Sequence, residues 1–335
     1  MIDLAHPEVG FAVGVVRETA LLAKEVQRKT SITALTKEDQ SPVTVADFAV
    51  QALLGRSLEK AFPHDPLVAE EDSGLLRSAE GQTLLERVTE SLIRVVPGAT
   101  PEKLRNWIDR GGNTPTDRFW ALDPIDGTKG FLRGAQYAVA LALVVKGRVQ
   151  IGVLGCPNLE GGFLIAAVRG KGCWRTSLAQ LDRFEKLQVS ECKEATQARV
   201  LRSFESDHTN ITQMDELLRA LGVKAKPQLM DSQAKYALLA EGKGDLLFRL
   251  LSPKHPDYRE KIWDQAAGSL VVEEAGGRVT DLDGKGLNFS VGRTLTQNRG
   301  VVASNGHLHE VALQVLATGA NKKKSLHDLS LNQAP

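Results

Sequence analysis

Two carboxylates, Asp123 and Asp126, sit in the stretch Phe119-Trp120-Ala121-Leu122-Asp123-Pro124-Ile125-Asp126-Gly127-Thr128-Lys129-Gly130. The pattern predicts a short apolar strand that stops at Asp123, followed by a tight loop that holds Asp126. Pro124 fixes one backbone torsion, and Gly127 and Gly130 admit turns that other residues resist. Carboxylates converging at a strand end repel one another unless a cation stands between them. Hard oxygen donors favour Mg²⁺ over a soft metal. An ordinary Asp-Pro/Asp-Gly turn explains the same residues without chemistry, so other acidic groups have to decide. Asp47 lies in Thr44-Val45-Ala46-Asp47, which also reads as a capping box. Glu70-Glu71-Asp72 follows the apolar Leu67-Val68-Ala69 and also reads as a solvated turn. Asp264, in Ile262-Trp263-Asp264-Gln265-Ala266-Ala267-Gly268, also reads as a helix N-cap. Helix starts place side chains at sheet ends, so a capping role and a catalytic one can coexist.

The elements that must position these groups follow from periodicity. Helices are predicted over 7–29, 44–62, 78–94, 212–221, 233–240, 264–274 and 308–317. Strands are predicted at 67–69, 137–145, 149–154, 163–168, 200–204, 228–230, 245–250, 278–280 and 300–303. The runs from 137 to 168 form an antiparallel meander, which Gly170 to Trp174 closes. Segment 31–41 reads as a mobile polar loop, and 97–117, Gly/Pro-rich except for Leu104 to Ile108, as a long loop or insertion. Beyond 180, strands alternate with helices, as under a helix-covered sheet. The division expected is 1–180, an N-terminal α+β unit with most of the acidic residues; 181–320, an α/β unit with Asp264; and 321–335, a polar tail.

With 335 residues, 42% hydrophobic and 25% charged, the chain is globular and long enough for two packed units. The net charge of +1 argues against binding a nucleic acid polymer through a basic face. The three cysteines, Cys156, Cys173 and Cys192, form no C-x-x-C pair, which points to a reducing compartment, the cytoplasm, rather than to a disulfide framework. No apolar run approaches the roughly 18 residues of a membrane span, and no secretory signal is evident.

Taken together, Asp47, Glu70, Asp123, Asp126 and Asp264 resemble the acidic set of the inositol monophosphatase superfamily, Mg²⁺-dependent and lithium-sensitive phosphatases. Trp120-Ala121-Leu122-Asp123-Pro124-Ile125-Asp126-Gly127-Thr128 is similar to its first signature, and Trp263-Asp264-Gln265-Ala266-Ala267-Gly268 with Glu274-Ala275-Gly276-Gly277 to its second. The resemblance runs from Pro7 to about Ala317. Within the superfamily the sequence resembles the 3′(2′),5′-bisphosphate nucleotidase branch through Ser41-Pro42-Val43-Thr44-Val45-Ala46-Asp47, Ala69-Glu70-Glu71-Asp72-Ser73-Gly74, Gly127-Thr128-Lys129-Gly130-Phe131-Leu132-Arg133, Asp231-Ser232-Gln233-Ala234-Lys235-Tyr236 and Tyr258-Arg259-Glu260-Lys261-Ile262-Trp263-Asp264. It departs from that branch at 97–117 and 252–257.

The resemblance implies an α/β, layered αβαβα sugar-phosphatase fold and hydrolysis of adenosine 3′,5′-bisphosphate to AMP and phosphate by a metal-activated water. It implies two or three Mg²⁺ ions, held by Glu70, Asp123, the carbonyl of Ile125, Asp126 and Asp264. Asp47 and Thr128 would orient the water, while Gly127, Thr128, His208, Ser232, Lys235 and Arg249 would contact substrate. Lys235 and Arg249 supply cations for the phosphate that is not cleaved, although they also read as a solvated helix residue and an edge-strand charge. The partner is then a small nucleotide bisphosphate, and the chain a monomer. Competing readings are an inositol phosphate phosphatase and a catalytically silent nucleotide sensor.

Overall fold

A computed structural model describes residues 2–29, 35–36, 42–204, 210–252 and 254–318. Helix α1 (Pro7–Lys29) turns Val9, Val13, Val16, Ala20 and Ala23 inward at three- and four-residue spacing, the stripe a helix needs to pack on a sheet. Strands β1 (Leu35–Thr36) and β2 (Pro42–Val43) pair antiparallel. Two residues of the predicted mobile loop are thus strand, and the rest of 31–41 lies outside the described residues. Helix α2 (Val45–Ala61) opens on Thr44, whose hydroxyl accepts the Ala46 N–H while Asp47 caps the Thr44 backbone.

After β3 (Leu67–Ala69) and a short 3₁₀ turn comes α3 (Gln82–Ile93), which starts later than predicted. Segment 97–117 is not a long loop, because it contains α4 (Pro101–Asp109). Thr100 caps the Lys103 N–H, Pro101 takes the first turn, and Leu104 and Ile108 are both fully buried. Each such buried side chain contributes about 1.5–3 kcal/mol, enough to hold a short helix between flanking glycines and prolines.

The first sheet is then completed by β4 (Arg118–Asp126), followed by the short helix α5 (Thr128–Leu132), and by β5 (Ala138–Val145), β6 (Arg148–Cys156), β7 (Phe163–Val168), β8 (Gly172–Ser177) and β9 (Glu185–Lys186). Its order is β3-β4-β5-β6-β7-β8-β9. Only the β3–β4 pair is parallel; the others are antiparallel. The predicted meander is present and continues, because Gly170 to Trp174 leads into β8 rather than closing the unit.

The second half contributes β10 (Val200–Arg202), α6 (Ile211–Ala220), β11 (Gln228–Leu229), α7 (Ala234–Ala240), β12 (Leu246–Arg249), α8 (Ala266–Glu274), β13 (Arg278–Thr280), β14 (Val301–Ser304) and a helix over 309–318. The second sheet runs β11-β10-β12-β14-β13. The expected boundary near 180 falls between β8 and β9, and the 321–335 tail lies outside the described residues.

Alternation along the strands sorts side chains into layers. Trp120 and Leu122 join α1 to α4 in one core. Phe119 and Ala121 face the other way, into a core shared with α7, α8 and with Leu201, Leu247, Val301 and Ala303 of the second sheet. Val200, Leu246, Phe248 and Val302 line the far side of that sheet with α6 and the C-terminal helix. The result is αβαβα layering. Helix α8 approaches β6 closely at Gly152, where a Cβ would stand 2.7 Å from the Ala267 carbonyl oxygen. No described helix is long and apolar enough to cross a membrane.

Candidate active site

The register of β3 against β4 brings the first two acidic motifs together. Leu67, Val68 and Ala69 pair in parallel with Trp120, Ala121 and Leu122. One residue further on, Glu70 stands beside Asp123 at the carboxyl ends of neighbouring strands, roughly 5 Å apart as paired strands are. Residues three apart on a regular strand point to opposite faces, which would separate Asp123 from Asp126. Here Asp123 pairs with Ala140 and Asp126 with Ala138, so Pro124 and Ile125 together oppose a single residue, Val139. This β-bulge returns Asp126 to the face of Asp123, on the side where Ala138 and Ala140 enter the middle core. Thus β4 runs on through Asp126, and the predicted tight loop is a bulge within it. The extra residue of a bulge leaves the ladder, and the Ile125 carbonyl accepts the Thr128 hydroxyl at 3.1 Å instead.

Glu70 is braced from behind. Buried Gln51 of α2 donates to the carbonyls of Glu71 (2.6 Å) and Ile108 (2.8 Å) and accepts the Glu71 N–H. Asp109, ending α4, accepts the Ser73 N–H and hydroxyl, both at 2.8 Å, and Arg77 at 2.7 Å. Burial would raise the Asp109 carboxyl, but these hydrogen bonds outweigh it and hold the group below the usual carboxylate range. The helix that sequence periodicity missed is therefore the support of the acidic turn.

Asp47 makes the predicted capping contacts and also stands near Thr128. Its Oδ2 accepts the Thr44 N–H at 2.8 Å and the Thr44 hydroxyl at 2.6 Å, while Oδ1 lies 3.5 Å from Thr128 Oγ1. Next to Thr128, Gly127 has φ +88°, and a Cβ there would come 2.9 Å from Cβ of Ser232. Ser232 itself has φ +65°, a conformation uncommon for a residue with a Cβ. The following Gln233 N–H donates to Asp126 Oδ2 at 2.6 Å. The Gln233 side chain donates to the Trp263 carbonyl at 3.0 Å and accepts the Gly268 N–H at 2.9 Å. One residue so links Asp126 to the segment that carries Asp264. Asp264 is not the cap of α8, which starts after Gln265.

The electrostatics of the cluster are one-sided. Burial, then the charges of Glu70, Asp126, Asp264 and Asp47, push Asp123 well above the usual carboxylate range. Burial and Asp126 do the same to Asp264, against Arg249. Burial also raises Asp126, opposed by Lys235, the Gln233 N–H and Arg249. Asp123 Oδ1 is buried without a hydrogen-bond partner. All-oxygen donors, mutually raised carboxyls and an orphaned carboxylate oxygen fit a hard divalent cation. The fit is one of charge and donor type, because no three Asp, Glu, His or Cys side chains among the described residues form a ready-made ligand shell.

The two expected cations are not solvated surface charges. Lys235 is buried and donates to the carbonyls of Met230 (3.2 Å) and Ser232 (2.8 Å). Burial lowers its pKa to about 8, with Asp126 pulling the other way. Arg249 ends β12, the central rather than an edge strand of its sheet, and pairs with Glu260 at 2.7 Å and with Asp264 at 4.0 Å. Glu260 also accepts from Gln265 at 2.7 Å, and Gln265 from the Tyr236 hydroxyl. His208 lies outside the described residues. Sequence reasoning missed Gln51, Asp109 and Gln233. Only the Thr100-Pro101 helix start signalled any of them, because the others act through backbone groups distant in sequence.

The profile described as the inositol monophosphatase family matches residues 6–319. The chain is 40% identical to the 3′(2′),5′-bisphosphate nucleotidase of Schizosaccharomyces pombe, over 94% of this chain and 96% of that one. It is also 40% identical to the 3′(2′),5′-bisphosphate nucleotidase of Oryza sativa, over 90% and 91%. Among solved structures, the IMPase of Thermotoga maritima superposes with a TM-score of 0.67 at 22% identity, covering 94% of this chain and 98% of that one. The extragenic suppressor protein suhB of Bartonella henselae gives 0.65 at 21% identity, covering 92% and 97%. At these identities the two structures show the shared fold.

Proposed function

The chain belongs to the inositol monophosphatase family, and we propose on that footing that it is a 3′(2′),5′-bisphosphate nucleotidase, a phosphatase that converts adenosine 3′,5′-bisphosphate to AMP and phosphate. The sulfated nucleotide and the 2′,5′ isomer are further substrates of the same reading. One observation carries it: buried Lys235 and partly buried Arg249, the latter 4.0 Å from Asp264, both act on Asp126, so two cations stand beside the acid cluster. A bisphosphate brings a second phosphate of about −1.5 to −2 charge, which those cations can meet. A monophosphate of inositol brings no second phosphate to meet them.

In this reading Glu70, Asp123 and the Ile125 carbonyl, with Asp126 and Asp264, hold two or three Mg²⁺ ions. When bound, Mg²⁺ acidifies a water and neutralises charge building on the phosphate. The chain's own groups position the reaction. The Thr128 hydroxyl has one proton and two nearby acceptors, the Ile125 carbonyl and Asp47 Oδ1. Turned toward Asp47, it accepts a hydrogen bond from the attacking water and aims it at phosphorus. Water adds, the bond from phosphorus to the 3′-oxygen breaks, and the leaving oxygen ends protonated as the nucleoside hydroxyl. Gly127, where a Cβ would crowd Ser232, lets the backbone at 127–128 approach substrate, and Ser232 contacts the nucleotide.

A second reading has one observation in its favour. Lys235 and Arg249 already have protein partners, as they would if they were structural and the substrate were an inositol phosphate. Phosphate release across a panel of nucleotide bisphosphates, monophosphates and inositol phosphates separates the two, and preference for an inositol phosphate overturns the first. The proposed protein is a cytoplasmic monomer. Its three thiols Cys156, Cys173 and Cys192 are unpaired, as a reducing compartment leaves them.

A further inference from the structure

Arg293 occupies a polar segment, Val291-Gly292-Arg293-Thr294, that carries no sequence motif used so far. Its guanidinium reaches across to the other half of the chain. One Nη donates to the carbonyls of Gly111 (3.0 Å) and Asn113 (2.9 Å), and the other to the carbonyl of Ala69. Ala69 immediately precedes Glu70. The same guanidinium stacks on the indole of Trp263, 4.8 Å from the ring centre, and Trp263 immediately precedes Asp264. The Arg293 backbone is fixed too. Its carbonyl accepts the Ile262 N–H at 3.1 Å, Lys261 bridges Thr294, and the Leu295 N–H donates to Glu260 at 2.8 Å. Arg293 thus binds the residue before one acidic side chain with its donors and the residue before another with its flat face.

Only a planar fork can do both. Glu70 follows the end of β3, whereas Asp264 lies in the turn before α8, and the two are far apart in sequence, so no contact between chain neighbours sets their separation. The Ala69 carbonyl lies at the last residue of β3, and the Gly111 carbonyl that it shares Arg293 with accepts the Ala69 N–H at 2.9 Å. A shift of Arg293 would therefore move the end of β3 relative to Trp263.

We propose that Arg293 is a positioning residue that sets the separation of Glu70 from Asp264, so that both carboxylates address one divalent-cation centre. The proposal rests on the metal-dependent reading above, and its test keeps the two apart. Full-length protein, Arg293→Gln and Arg293→Lys are titrated with Mg²⁺ alone, reading heat of binding and the rise in melting temperature, and then with substrate, reading phosphate release. Arg169→Gln serves as the structural control, since Arg169 joins the two halves elsewhere, through Glu273 at 2.8 Å. Loss of an outer support of this kind weakens metal binding on the order of 10–100-fold. Arg293→Gln should raise the Mg²⁺ half-saturation by that factor in all three readouts. Arg293→Lys, which keeps the charge but not the fork, should raise it in the same direction. Arg169→Gln should melt earlier with its Mg²⁺ half-saturation unchanged. If Arg293→Gln does not fold, Arg293→Lys decides. Normal Mg²⁺ half-saturation in a folded Arg293 variant overturns the proposal, as does an equal rise in Arg169→Gln. Absence of any Mg²⁺ response in the unmutated protein overturns the functional reading instead.

Discussion

Arg249 and Glu260 form an ion pair 2.7 Å long beside the acid cluster. Arg249 is thus held in place before any substrate arrives, and a phosphate that engages it joins an existing pair rather than ordering a free side chain. That saves conformational entropy on binding.

Replacing either cation should therefore weaken binding of a bisphosphate selectively. A charge-assisted hydrogen bond contributes about 1.5–3 kcal/mol. Lys235→Ala or Arg249→Ala should raise KM for adenosine 3′,5′-bisphosphate by roughly tenfold to a hundredfold, with a smaller fall in kcat. A nucleotide monophosphate should be turned over nearly as before. Steady-state kinetics on both substrates checks this, and equal losses on the two would assign these residues to the fold or the acid cluster.

The depressed pKa of Lys235, about 8 against an ordinary 10.5, gives a pH signature. Below pH 8 the ammonium is present to meet a phosphate, and above it the charge is lost, so KM for the bisphosphate should climb through pH 8–9. Arg249→Lys should retain that climb and Lys235→Arg should remove it, since an arginine stays charged. Stability runs the other way. The folded state releases this proton more readily than the unfolded chain, so the cost of the buried charge is fully present below pH 8 and relieved between about 8 and 10.5. Melting curves across that window test the second half.

Asp123→Asn should nearly abolish turnover. Loss of such electrostatic stabilisation costs on the order of 3 kcal/mol or more in the barrier. The folded variant should survive, and in chelator it should melt higher than the unmutated protein. Asp123 is held above its ordinary 3.8 in the folded state, so its ionisation costs stability as pH rises past that value. Acidification toward pH 5 in chelator should accordingly stabilise the unmutated protein more than Asp123→Asn. Circular dichroism melts with and without chelator would expose a variant that is merely unfolded.

Activity should vanish after exhaustive chelation and return with Mg²⁺. Ca²⁺ should bind and stabilise yet support little turnover, because its larger, looser coordination misplaces the water. Full activity in chelator would defeat the metal-dependent reading.

Some of this arrangement is legible in sequence, for definite reasons. The capping of α2 by Thr44 and Asp47 is a contact between near neighbours, so its signature survives in the order of residues. From Phe119 to Leu122 the strand before Asp123 is apolar because both of its faces are buried there. The α4 helix escapes periodicity because it is short, nine residues, and flanked by glycine and proline. The bulge at Pro124-Ile125 is invisible for another reason: an Asp-Pro pattern looks the same in a turn and in a strand that must re-aim a side chain. Gln233 and Arg293 leave little trace because the partners of their side-chain hydrogen bonds are carbonyls and N–H groups, which nearly every residue has.

The lone parallel pair in the first sheet has a consequence for how the molecule forms. An antiparallel hairpin can zip from its turn, but β3 and β4 meet only after the chain between them, with α3 and α4, has looped back. Contacts of such wide sequence separation form late, because loop closure has to precede them. Asp264 arrives from still further away. If the metal-dependent reading holds, a partly folded chain has its acidic residues apart and cannot form the cation centre, and an ion bound only by the finished fold would favour that fold by mass action.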